Sequence, residues 1–366
     1  MAEAQKPIPV SLKRIIVISA VIGYAALIIY LLYFVGVGDL FSTLEKVNLG
    51  IYALAIGAVI LSIVFHTLVW LRLLNYLSIK IGFRRSFTLY WVGIFVDNLI
   101  PGGWSGDLFK AYLLSKEPKI GAGKAVASVV AKNMYEAIFN LGNMVLGLIL
   151  LLLNYSFAGT VFISIGAIML LITLPLIVLI AVSFKPEVAK KTVKSIIRGI
   201  SRLTGNRWNL NRFQVEIDKL LDDYHEGMTI LIHHPKVITE PAIFSFFAWG
   251  LEVFTIFVVF ASLGFVISPD KVIIVRSIAA NIESQGYAFA GYAQIVATAL
   301  YTALGINLAL AASVAILGGV VFFWLKTAIS YVAFHYVVIS NHPQKITESI
   351  EEIISESGID EKTLKT

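Results

Sequence analysis

The chain has no cysteine, so disulfides and thiolate metal sites are excluded and its redox compartment is unmarked. Charge is scarce: 14% of the 366 residues are Asp, Glu, Lys or Arg, where soluble domains carry roughly 25%. There is no Gly-Lys-Ser phosphate loop, no nucleophile triad and no helical His/Glu spacing for a metal. No small-residue cleavage site follows the first apolar run, which is therefore expected to stay as a helix. A soluble enzyme on an anchor does not fit these absences. No cofactor is expected, and the chain is read as a non-enzyme.

What is present is apolar length. Hydrophobic residues make up 58% of the chain, and spans of about 20 residues recur. Six are expected, at residues 15–35, 51–71, 125–153, 157–184, 241–264 and 307–340. Arg72, Lys80, Arg84 and Arg85 follow the second span with no acid among them, whereas residues 36–50 carry Asp39 and Glu45 against Lys46. By the positive-inside rule both termini are cytoplasmic in a multi-pass protein of the cell membrane.

Two stretches do not fit simple crossings. In hairpin 85–117, short apolar arms flank Asp97-Asn98-Leu99-Ile100-Pro101-Gly102-Gly103-Trp104-Ser105-Gly106-Asp107. Lys110, Lys116, Lys119 and Lys124 follow, so basic clusters stand on both sides. A segment that turns back at Pro101 keeps both clusters inside. A broken backbone at membrane depth also needs protein or water partners, as in transporter sites. Hairpin 271–305 repeats the pattern around Asn281 to Gly291.

At an offset of 185, Gly106 falls on Gly291, and Ala127-Ser128-Val129 falls on Ala312-Ser313-Val314. The expected fold is therefore an all-α polytopic membrane protein, with six spanning helices and two re-entrant hairpins in an inverted repeat. Residues 1–366 form one integral membrane domain, with repeats at 51–153 and 241–340. Between them, residues 184–240 form a basic cytoplasmic loop with two amphipathic stretches, residues 193–203 and 213–231. The first suits an anionic leaflet; the second suits a packed cap. Residues 341–366 form an acidic cytoplasmic tail. A basic loop on a membrane protein needs no nucleic-acid partner, and none is expected.

Trp70-Leu71-Arg72-Leu73-Leu74, then Arg84-Arg85, then the run from Asn98 through Lys110 to Leu114 resembles the lysylphosphatidylglycerol synthase transmembrane family of flippase-like, uncharacterised membrane proteins. The resemblance extends over about residues 15–340 and implies a membrane-embedded lipid transporter. Some bacterial members carry a soluble domain that makes the aminoacyl lipid. No such domain fits within 366 residues, so the resemblance implies transport and not aminoacyl transfer. Lys110 stands where the family usually has Arg, and Lys132-Asn133 where it often has an acid–Arg pair. Tyr287-Ala288-Phe289 and Gln294 replace the family's Pro-Gly-Gly and the Glu that follows it.

Ionisable residues inside a membrane are costly unless paired or wet, so each is a candidate. At the first apex these are Asn98, Pro101, Gly102, Gly103, Gly106, Asp107 and Lys110. Lys110 and free amides at the Gly106–Asp107 helix start could grip a lipid phosphate, or Asp107 could cap that helix and pair with Lys110. Lys132 and Glu136 share a helix face as an ion pair or a head-group site. Arg276 and Glu283 share a face near Gly291, with mutual pairing favoured. Glu252 is a proton-coupling carboxylate or a partner of Arg276 or Lys326. His66 and His335 read as packing histidines. Two functions stay open: a transporter of an anionic or glycosylated lipid, and a scaffold for a lipid-modifying enzyme. A wet groove reaching both hairpins favours the first; a sealed bundle favours the second.

Because the chain has no cysteine of its own, Ser78→Cys and Lys119→Cys report topology without background. Both are expected to react only with a reagent on the cytoplasmic side. Labelling of Lys119→Cys from outside removes the re-entrant hairpin.

Overall fold

The computed structural model describes residues 28–29, 37–99, 105–118, 120–155, 174, 177, 190–191, 210–233, 236–283 and 291–340. Among them the regular structure is helical throughout. A short helix α1 (Val37–Leu44) precedes α2 (Leu49–Tyr76), α3 (Phe83–Leu99), α4 (Ser105–Ser115) and α5 (Ala122–Asn154). After these come α6 (Leu210–His233), α7 (Lys236–Ser262), α8 (Pro269–Glu283) and α9 (Tyr292–Ala303). The last long helix is α10 (Leu308–Gly319) and α11 (Lys326–Phe334), joined through a π-helical turn, Val320–Leu325, and closed by a second, His335–Ser340.

Four helices are long and apolar enough to cross a membrane: Leu49–Tyr76, Ala122–Asn154, Thr239–Ser262 and Leu308–Val337. They coincide with four of the six expected spans. Apart from residues 28–29, 174 and 177, the spans at 15–35 and 157–184 lie outside the described residues, as do the surface helix at 193–203, the tail, and the apex residues Pro101, Gly102 and Gly103.

Local chemistry explains the boundaries. Asn48 caps α2, its Oδ1 accepting from the Ile51 N–H at 3.1 Å, and Asn307 caps α10 in the same way from Ala309 at 2.9 Å. Gly291 precedes α9 at φ 89°, a left-handed conformation that any side chain would strain. Gly106, opposite it in the repeat, has no such conformation and is small for another reason, the close approach of the Gly93 carbonyl.

The helices α2 to α5 recur as α7 to α10. Leu49 and Lys236, Phe83 and Pro269, Ser105 and Tyr292, and Ala122 and Leu308 open matching elements 186 or 187 positions apart. The matching helices α2 and α7 lie side by side and run in opposite directions. At one end the Asn48 N–H donates to the Ser262 carbonyl at 2.7 Å; at the other Arg72 meets Glu240 at 3.7 Å. The long helices then cross between units. The helix α5 packs on both α4 and α8, and α11 packs on α3.

Arms α3 and α4 fold back on each other, with Arg85 and Glu117 2.7 Å apart at the open end and the Asp97 carboxylate 2.7 Å from the Gly106 N–H near the apex. Each arm is shorter than a spanning helix. Lipid tails are as apolar as leucine, so close approach at small residues holds such packing together. Gly147 of α5 sits against Ser277 and Ile274 of α8, and Gly123 against Leu220 and Tyr224 of α6. The amphipathic stretch at 213–231 is the inner part of α6, whose Leu221, Tyr224, Met228 and Leu231 are buried as the expected cap.

At the far end of α5 the Tyr155 hydroxyl donates to Asp270 at the start of α8. Burial, then this bond, pushes the Tyr155 phenol up to about 12. Burial opposes ionisation of Asp270, but hydrogen bonds from Tyr155 and Ser268 hold its carboxyl below the usual range.

A Cβ on Gly106 would run into the Gly93 carbonyl and the Asp97 carboxylate, whereas one on Gly142 meets nothing within 4 Å. Gly106→Ala is expected to destabilise the protein by about 1–3 kcal/mol. Gly142→Ala should be neutral or stabilise by up to about 1 kcal/mol. Thermal unfolding in detergent checks the pair; equal melting points would dismiss the tight α3–α4 contact.

Candidate functional site

The two units enclose a cavity of about 340 Å³. Its wall takes His66 from α2, Tyr90, Asp97 and Asn98 from α3, and Glu136, Phe139 and Asn140 from α5. The second unit adds Ser245, Trp249 and Glu252 from α7, Arg276 from α8, Gly291, Gln294 from α9, and Phe322, Trp324 and Lys326. Val320 and Trp324, also in the lining, are 40% and 49% exposed, so the cavity reaches the flank of the helix bundle. That flank is formed by the π turn, a distortion frequent at functional sites.

A chain of ionisable groups runs from the packed interior beside hairpin one to this wall. Lys110 pairs with Asp107, and Lys132 Nζ lies 3.7 Å from the same Asp107 oxygen and 2.8 Å from Glu136. Glu136 is 3.6 Å from His66 Nδ1, and His66 Nε2 is 3.2 Å from Glu252 Oε1. The other Glu252 oxygen accepts from Arg276 at 3.0 Å. The guanidinium stacks 4.0 Å from the Phe322 ring centre, and Lys326 lies 5.4 Å from the same centre. Acidic and basic groups alternate, the order in which a low-dielectric interior lets such groups satisfy one another.

The structure separates the first apex into two roles. Asp97, Asn98 and, in the second hairpin, Gly291 and Arg276 line the cavity with Glu136 and Glu252. Asp107 and Lys110 are buried, with side chains 5% and 3% exposed, and neither lines the cavity. The Lys110 ammonium lies under aromatic rings, 4.4 Å from the centre of Tyr90 and 5.3 Å from that of Trp70. Lys132 is equally covered, while Gly106 sits where α4 meets α3.

Two expectations are corrected, the helix cap and His66. The α4 cap is Asp97 from the opposite arm, not Asp107; its Oδ1 accepts from the Gly106 N–H and, at 3.1 Å, from Ser105 Oγ. The Gly106 amide is therefore already engaged and not free for a phosphate. Glu252 holds Arg276, one of the partnerships expected for it, and the expected Arg276–Glu283 pair involves a side chain outside the described residues. His66, read as a packing residue, is the link between two carboxylates. Sequence spacing does hold the signal: His66 and Glu252 are 186 residues apart, within one residue of the repeat offset, so they occupy nearly matching positions on α2 and α7. Asn98 was a candidate; its amide donates to Thr327 of α11 at 2.7 Å. Among the described residues no group of three or more His, Cys, Asp or Glu could hold a metal ion.

The family described as lysylphosphatidylglycerol synthase TM region matches residues 15–330. A UPF0104 membrane protein of Pyrococcus horikoshii is 25% identical over 82% of this chain and 91% of its own. Another, from Methanothermobacter thermautotrophicus, is 21% identical over 88% of this chain and 94% of its own. A third, from Methanocaldococcus jannaschii, is 25% identical over 84% and 90%. No solved structure matches the chain.

Breaking a buried ion pair leaves a poorly compensated charge; without Lys110, Asp107 keeps Lys132 at 3.7 Å, beyond hydrogen-bond reach. Lys110→Met is expected to destabilise by about 3–5 kcal/mol, and Asp107→Asn added to it should recover most of that loss. Thermal unfolding of both variants decides. If Lys110→Met keeps full stability yet loses lipid transfer in vesicles, this cation belongs to the substrate instead.

Proposed function

We propose that this chain, which belongs to the lysylphosphatidylglycerol synthase transmembrane family, moves a lipid with an anionic head group between membrane leaflets. The supporting observation is the cavity: both units build it, both hairpins reach it, and it opens on the flank of the bundle. Arg276 and Lys326 supply the cations for a phosphate. Arg276 carries the planar fork that suits such an oxyanion. Asn98, Asn140 and Gln294 add amide groups. Ser245 Oγ, Trp249 Nε1 and Gln294 Oε1, all on lining residues, have no hydrogen-bond partner among the described residues.

The antiparallel course of the matching helices α2 and α7 supports an inverted repeat, and arms too short to cross support two re-entrant hairpins. In this reading the head group sits between the hairpins. The acyl or prenyl chains stay in the bilayer beside Val320 and Trp324. Transport needs no bond chemistry, so the chain acts as a carrier and not as an enzyme. An open polar cavity favours this over a scaffold for a lipid-modifying enzyme, which needs only a surface. The basic residues between 185 and 212 would rest on the anionic lipid of the cytoplasmic leaflet of the cell membrane, with both termini on that side.

The test is transfer of a fluorescent phosphatidylglycerol across reconstituted vesicles, with native mass spectrometry of lipids that co-purify. Arg276→Gln should cut transfer about tenfold or more, the scale of one lost charge-assisted hydrogen bond, with Arg276→Lys in between. Wild-type vesicles that transfer no faster than protein-free ones would overturn the reading.

A further inference from the structure

The carboxylate that holds Arg276 also holds His66, and this sharing has a consequence for ligand binding. Glu252 gives Oε2 to the guanidinium at 3.0 Å and Oε1 to the imidazole at 3.2 Å. Glu136 mirrors it, with one oxygen 2.8 Å from Lys132 and the other facing His66 at 3.6 Å. The two ends differ in access. Lys132 is buried, shared with Asp107, and off the cavity wall, whereas Arg276 is part of that wall.

We infer that Glu136, His66 and Glu252 form a proton-binding site, and that an anion entering the cavity carries a proton into it. This rests on the reading of the cavity as an anion site. The incoming anion takes the Arg276 guanidinium, and Glu252 loses its cation. A carboxylate so stranded, beside a second carboxylate and the new anion, is costly in a low dielectric and takes a proton instead. One anion and one proton enter together. The Arg276–Glu252 bond is exchanged for an Arg276–anion bond and a carboxyl O–H, Arg276 keeps its charge, and the net charge of the site is unchanged.

The other charges facing Glu252 do not replace the lost partner. From α2 comes His66, which Glu136 shares; from α5 come Glu136 and the Lys132 it holds. Beyond the π turn Lys326 lies against Phe322 and faces the same cavity, where it meets the anion too. The helix α10 carries no ionisable residue. The site also lies where the matching positions of the two units touch, so a proton gained there alters the contact between the units themselves.

The experiment is calorimetric titration of the whole purified protein with a short-chain phosphatidylglycerol, whose phosphodiester carries one charge at every pH used. Repeating it in buffers of different ionisation heat counts protons. About one proton taken up per lipid is expected, with affinity falling by up to about tenfold per pH unit as pH rises. Glu252→Gln should lose the uptake and flatten the pH dependence, binding more tightly than wild type at high pH because Arg276 is no longer neutralised. Lipid bound by wild type with no proton uptake overturns the coupling and leaves the anion site standing. No binding at any pH overturns both. Uptake unchanged in Glu252→Gln also overturns it. Should that variant fail to fold, His66→Gln must shift the pH midpoint of uptake; an unmoved midpoint overturns the proposal equally.

Discussion

Charge pairing under burial is the constraint that the rest of this structure obeys. Seven ionisable side chains, from Lys110 through Asp107, Lys132, Glu136, His66 and Glu252 to Arg276, form one alternating chain. They come from five helices: α4, α5, α2, α7 and α8. Away from water each would cost several kcal/mol alone, so the helices that carry them must assemble in one arrangement or leave a charge stranded. Apolar packing specifies much less here, because lipid competes for the same surfaces on nearly equal terms.

That arrangement depends on two short hairpins and two long helices. The helix α5 carries Lys132 and Glu136 near hairpin one, and Gly147 against hairpin two. The helix through α10 and α11 does the converse, with α10 beside α9 and the Phe334 ring tilted against Phe95 of α3, centres 4.8 Å apart. Each long helix therefore ties its own unit to the other. The cavity is what remains between the hairpins once these ties are made, which is why its wall draws on both units.

Much of this was legible before any coordinates. Scarce charge and long apolar runs marked a membrane protein, and the run from Asn98 through Lys110 to Leu114 carried its resemblance to the family. Four spans, the two short-armed segments and the offset between them followed from hydropathy, Pro and Gly, and charge. Local spacing also found the Lys132–Glu136 pair, because i and i+4 positions are neighbours on any helix. Asp107 and Lys110, three apart, were legible for the same reason.

What sequence alone determined was therefore everything carried by nearest neighbours along a helix: class, span positions, repeat period and the pairs within one turn. What only the tertiary structure decided was every partnership between helices. Asp97 rather than Asp107 caps α4, since the cap comes from the opposite arm. Between the two partners that sequence offered Glu252, the fold places Arg276 on its carboxylate, and His66 joins residues on α5 and α7. Lys110 is turned from the cavity toward Trp70 and Tyr90 by packing that no spacing encodes. A helix fixes its own faces through a period of 3.6 residues, but which face meets which is settled only when the buried charges have all found partners.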